Sequence, residues 1–183
     1  MQTATEATGK EVLIDRLRES EEQFVAVASI TEELAKIQPA EGRWSVLNVV
    51  EHITLADRGM WKRYESAVPA ETVPVNPDAD RVIEGLRRVG NTKRTAPEHV
   101  VPTGRFTCLS DALAEYRKGR NEIVAFVRDH NENFRSKKVQ HPVVLMDGHQ
   151  LFLLIAAHSD RHATQIENIK NSDAYQAAIK RSN

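Results

Sequence analysis

The stretch from Leu151 to Ile169 constrains the fold of this chain more than any other. At 100° per residue, Leu151, Ile155, His158, His162, Ile166 and Ile169 share one narrow helical face, while Asp160 and Glu167 fall opposite. The segment reads as an amphipathic helix with imidazole at two inward positions where leucine is usual. Burying imidazole among aliphatic side chains is costly unless its nitrogens find partners. A pair at i, i+4 can converge on one metal ion. The alternative is a pair of packed core histidines bonded to carbonyls or to a carboxylate. A third metal ligand would have to come from another segment, because Gln165, on the same side of the helix, is a poor ligand for a transition metal.

Three further segments have the helical period. The first runs from about Lys10 to Ile37, with Leu13, Leu17, Phe24, Val27 and Leu34 in phase, and Pro39 ends it. The second begins at Ser45, an expected N-cap, with Trp44 and Val49 spaced for a hydrophobic staple. Its face is Val46, Val49, Val50, Ile53, Met60 and Tyr64. The third starts near Ser110, a candidate N-cap, and carries Leu113, Tyr116, Ile123, Val124 and Val127. The histidine-bearing helix, from about Gln150 to Asn171, is the fourth, and the tail from Ser172 adds a short helix.

Between the second and third lies a proline-rich link, Ser66 to Leu109. A structureless loop of that length is improbable in a compact domain, and Ala79 to Val89 has the spacing of a short helix. Val143 to Leu145 reads as a brief extended piece before Asp147-Gly148. Four amphipathic helices with one long crossover predict an all-α four-helix bundle, and the crossover allows helices two and three to run parallel rather than antiparallel.

At 183 residues the chain suits one domain, residues 1–183 with an ordered core of about 10–171. Its 25 basic and 26 acidic residues leave a net charge of −1, which predicts no nucleic-acid footprint. One cysteine, Cys108, excludes an internal disulfide and fits a reducing cytoplasm. The first ten residues have no apolar core of a secretory signal, and no apolar run is long enough to cross a bilayer. The expected location is cytoplasmic.

Of the other histidines, His99, His130, His141 and His149 read as surface residues. His52 lies inside the second helix at the edge of its apolar face. It is either a half-solvated boundary histidine or a third ligand reached across the bundle. Carboxylates that could serve as a general base are few. Glu51 and Glu122 project outward from regular helices. Asp57 falls on a core-facing stripe, either as an ion pair to a neighbouring helix or as a catalytic group. Arg120 shares the inward side of the third helix; it either snorkels outward or holds a substrate carboxylate. Cys108 has no adjacent base or helix dipole and reads as a small buried residue.

Trp44-Ser45 with His52 after six intervening residues, followed late in the chain by His158, His162, Gln165 and Ile166, resembles the DinB-like (DinB/YfiT) superfamily. The resemblance includes the long second link and the lead-in His141-Pro142 to Gly148, and covers most of the chain. It implies a four-helix bundle with the long crossover, binding a divalent metal through three histidines, here His52, His158 and His162. Zinc or nickel is the metal implied, and the same ligands accept iron or cobalt.

Three imidazoles with an open position can activate water or deprotonate a thiol. The family resemblance therefore implies a metal-dependent hydrolase, or an S-transferase or isomerase using a low-molecular-weight thiol such as mycothiol or bacillithiol. The substrate would be a small molecule, with a thiol as cosubstrate. The thin supply of general bases favours the thiol. Two other readings stand beside it: a non-catalytic bundle binding a metal or small ligand, and a purely structural bundle serving homodimerisation.

Overall fold

The structure is a computed structural model that describes residues 4–70, 76–88 and 96–182. Seven helices are found among them: α1 (Ala4–Ala28), α2 (Glu32–Ala35), α3 (Val46–Glu65), α4 (Pro77–Arg88), α5 (Leu109–Asp129), α6 (Gly148–Lys170) and α7 (Asp173–Ser182). The long helices α1, α3, α5 and α6 form the bundle. None of the described helices is long and apolar enough to cross a membrane.

Cross-helix contacts set the helix directions. Asp57 pairs with Arg120 and, further along both helices, Trp61 packs against Phe126, so α3 and α5 run parallel. His52 meets His158 and His162 while Tyr64 meets Phe152, so α6 runs antiparallel to α3. Phe24 packs on Tyr116, and Lys10 reaches the carbonyl of His130, so α1 opposes α5. The bundle is thus two parallel pairs, α1 with α6 and α3 with α5, running opposite ways. The crossover between α3 and α5 is what permits two consecutive long helices to run the same way.

The expected helix from Lys10 to Ile37 is broken. It starts earlier, at Ala4, and stops at Ala28, where the Ser29 hydroxyl bonds back to the Val25 carbonyl at 2.7 Å. Thr31 then caps the short α2. The break places Glu32 at the start of α5. Its carboxylate accepts from the backbone N–H groups of Leu109 (2.6 Å) and Ser110 (3.0 Å). Ser110 is therefore not the N-cap, as its type suggested. Cys108 holds that position without a side-chain cap, so the thiol does sit at a helix start.

The other two starts follow local chemistry. Ser45 and Asn48 form a capping box on α3, and Asp147 and Gln150 form one on α6. Gly148, the first residue of α6, has no room for a side chain: a Cβ there would lie 2.6 Å from the Phe134 carbonyl and from the Tyr64 ring. The helix expected from Ala79 in the link is α4, which begins at Pro77 and packs on α6. Gln150 Nε2 donates to the Asn76 carbonyl (3.0 Å) and to Asp80 (2.8 Å). Its expected end at Val89 lies outside the described residues.

A small antiparallel sheet closes one end of the bundle: β1 (Val68–Pro69), β2 (Lys137–Gln140) and β3 (Leu145–Asp147), in that order. The register pairs Val68 with Lys138 and Val139 with Met146. The extended piece expected at Val143 begins two residues later, and Val143 is exposed. β1 and β2 were not legible, because only Val139 of β2 is buried and no alternation marks it.

The core divides in two. One half gathers Trp61, Tyr64, Phe126, Phe134 and Phe152 at the sheet end, and the other gathers Phe24, Val46, Val50, Tyr116 and Ile166.

Candidate metal centre

α3 and α6 bring His52, His158 and His162 together, and one ring nitrogen from each lies within 4.8 Å of the other two. Among the described residues this is the one group of three or more histidine, cysteine or acidic side chains so arranged. His158 and His162, one turn apart, have their Nε2 atoms 3.0 Å apart. That is close enough for both lone pairs to reach one ion at the usual zinc–nitrogen distance of about 2.0–2.1 Å. The His52 ring lies 4.7 Å from that of His162 and 5.5 Å from that of His158, centroid to centroid.

The second nitrogens are held selectively. His52 Nδ1 lies 2.8 Å from the carbonyl of Val100, the last residue of a 3-10 turn, Glu98–Val100. A carbonyl only accepts, so Nδ1 carries the proton and Nε2 presents its lone pair. His162 Nδ1 lies 2.8 Å from Gln165 Oε1 and by the same logic donates to it. Such partners on the far nitrogen orient metal-binding histidines. His158 Nδ1 is buried without a protein partner, while the rest of its ring is half-buried. His158 is therefore both the least tethered of the three imidazoles and the most open.

All three rings are electrically neutral at physiological pH. Burial lowers the His52 pKa. It brings the His162 pKa to about 3 and holds His158 well below the usual imidazole value. The imidazoles and Arg161 add to these depressions, and no acidic side chain offsets them. Three neutral, convergent nitrogen donors are the protonation state that a divalent ion requires, so the residues present fit such a group.

The two catalytic candidates, Asp57 and Arg120, are bonded to each other, and Arg120 also bonds Ser159, next to His158. Arg120 does not snorkel; it is fully buried and donates to Asp57 (2.7 Å), Ser20 (3.0 Å), Ser159 (2.8 Å) and the Leu17 carbonyl (3.2 Å). Asp57 is buried against it, and burial pushes its carboxyl above the usual range, partly offset by the guanidinium. Both side chains are engaged in a network that ties α1, α3, α5 and α6 together.

Other expectations need revision. His52 is buried, not half-solvated. Glu51, expected to face outward, is 0 % exposed, because the end of the crossover lies over that side of α3. Trp44 packs on the core cluster that includes Val49 and also against the His52 ring, 4.7 Å between centroids. Gln165 is of use not as a ligand but as a partner to one; its i+3 spacing from His162 is the signal that marks it. The Val100 carbonyl has no sequence signal at all. Of the four outlying histidines, His99 and His130 are exposed and His141 and His149 are half-buried.

Four long helices in two parallel pairs, joined by a crossover, with three histidines converging between α3 and α6, define an all-α bundle of the DinB-like kind. The sequence profile of the DinB superfamily matches residues 16–166, and the chain belongs to that superfamily. It is 24 % identical over 150 residues to the uncharacterized protein YuaE of Bacillus subtilis (strain 168), covering 81 % of this chain and 91 % of YuaE. The fold is similar to that of YfiT from Bacillus subtilis, with a TM-score of 0.59 and 17 % identity over 88 % of this chain and 85 % of YfiT. YfiT is described as a probable metal-dependent hydrolase with an unusual four-helix bundle topology.

Proposed function

We propose that this protein is a divalent-metal-dependent enzyme in which His52, His158 and His162 hold the ion, with zinc or nickel suited to three imidazole donors. The observation that carries the reading is the convergence of three neutral imidazoles from two helices, with Nδ1 of His52 and of His162 each tied to an oxygen. A divalent ion held this way supplies Lewis acidity and can lower the pKa of water to about 7 or deprotonate a thiol.

The chain's own residues favour the second use. A hydrolytic site gains from a carboxylate poised as general base. Glu51 is spent on backbone N–H groups and Asp57 on Arg120. A low-molecular-weight thiol brings its own nucleophile and needs no such base. S-transfer from a thiol is therefore the reaction class we favour, with hydrolysis, the activity ascribed to YfiT, as the second. The half-buried His158 edge is the side from which substrate would approach, and Arg161 adds positive charge suited to a thiolate.

The test is metal content by mass spectrometry on untagged protein beside His52→Ala and His158→Ala, followed by thiol titration of cobalt-loaded protein. The reading expects about one ion per chain, lost in both variants, and a shift of the cobalt absorption bands on adding thiol. No uptake of zinc, nickel or cobalt by the wild type would overturn it. Uptake without any thiol-induced shift would overturn the transferase and leave hydrolysis or simple binding.

A further inference from the structure

Glu51 precedes the ligand His52 in the chain, and its carboxylate is fully buried. A buried carboxylate must have its oxygens satisfied. Glu51 Oε1 accepts from Thr103 N–H at 2.7 Å, and Oε2 accepts from Gly104 (3.2 Å) and Arg105 (3.1 Å). Three successive backbone N–H groups turn to one carboxylate because Gly104 has φ +79°, a left-handed conformation that glycine adopts without strain. Just ahead of this nest, Val100 offers its carbonyl to His52 Nδ1.

Adjacent residues of α3 thus grip one short strap, residues 100–105, at two points. At one point a carboxylate takes the strap's N–H groups. At the other, a strap carbonyl takes the imidazole N–H. The orientation of His52 therefore depends on a loop, and that loop is fastened by the residue beside the histidine. His162, in contrast, is oriented from its own helix by Gln165. We infer that Glu51 is a positioning residue: by clamping the 100–105 strap it holds the Val100 carbonyl on His52 Nδ1 and so presents His52 Nε2 to the metal.

This inference rests on the metal reading for its use but can be tested without it. The first arm records ring-nitrogen chemical shifts of His52 in metal-free wild type, Glu51→Gln and Glu51→Ala. The wild type should show His52 as the single Nδ1–H tautomer. Glu51→Ala should show a mixture of tautomers, with faster amide exchange at Thr103, Gly104 and Arg105. Glu51→Gln, which keeps the shape and one acceptor oxygen but turns an amide group toward N–H donors, should fall between, and it serves should Glu51→Ala fail to fold.

The second arm titrates each protein with cobalt(II). Loss of the partner of a metal-binding histidine lowers metal affinity by about 10–100-fold, and that drop, with altered cobalt absorption bands, is expected in Glu51→Ala. A His52 tautomer unchanged in both variants, or cobalt affinity and bands equal to those of the wild type, would overturn the positioning role and leave Glu51 as a loop anchor. A wild type that binds no cobalt while the tautomer responds to Glu51 would refute the metal reading and uphold the clamp.

Discussion

Removing the Asp57 carboxylate should be among the most destabilising single changes in the bundle core. Arg120 is fully buried and its guanidinium meets one carboxylate, two hydroxyls and one carbonyl from three other helices. In Asp57→Ala the hydroxyls and the carbonyl remain, but no carboxylate is left bonded to the guanidinium. Breaking one side of a buried pair costs about 3–5 kcal/mol because the surviving charge is left uncompensated. For a chain of this size each kcal/mol moves Tm by about 2–4 °C, so the expected loss is about 6–20 °C.

Arg120→Met should cost about as much, by stranding Asp57. The double variant Asp57→Leu/Arg120→Met removes both charges with apolar groups of similar length. Ser159 keeps Tyr116 and the Ile155 carbonyl as partners, and Ser20 keeps the Leu17 carbonyl. The double variant should therefore be more stable than either single one. The assay is urea unfolding followed by circular dichroism at pH 7 on chelator-treated protein. If Asp57→Ala costs less than about 1 kcal/mol, or if the two single losses simply add in the double variant, the ion-pair reasoning is refuted.

Two other predictions follow from single positions. Gly148→Ala drives a Cβ to 2.6 Å from the Phe134 carbonyl and the Tyr64 ring; it should destabilise by about 1–3 kcal/mol, the usual range for overpacking, checked by thermal melts. Acid should weaken the metal-free protein through its buried neutral imidazoles. The unfolded chain takes up protons below the free imidazole value of 6.5, whereas His162 in the native state does so only near pH 3. The His162 contribution is thus intact above pH 6.5 and falls through the window from 6.5 to about 3, by about 1.4 kcal/mol per pH unit. Urea midpoints measured from pH 7.5 to 4.5 check this, and His162→Gln should flatten the slope.

The sequence alone determined much of the bundle and half of the candidate centre. Four helical periods survive in the fold because each long helix buries one stripe. Ser45 starts its helix with a capping box because hydroxyl-to-backbone bonding is local. The 158/162 spacing needs only helical geometry to bring two imidazoles together. What tertiary structure decided is everything governed by what lies across a helix. The outward side of α3 is covered by the returning crossover, so Glu51, polar and off-stripe, is buried. Ser110 has the right chemistry for a cap, but Glu32 arrives from α2 with a charge and two oxygens. Asp57 and Arg120 each look reactive alone, and their pairing becomes visible only when α3 and α5 lie parallel. His52 joins the other two histidines for the same reason: periodicity describes one helix at a time, and which faces meet is a property of the packed bundle.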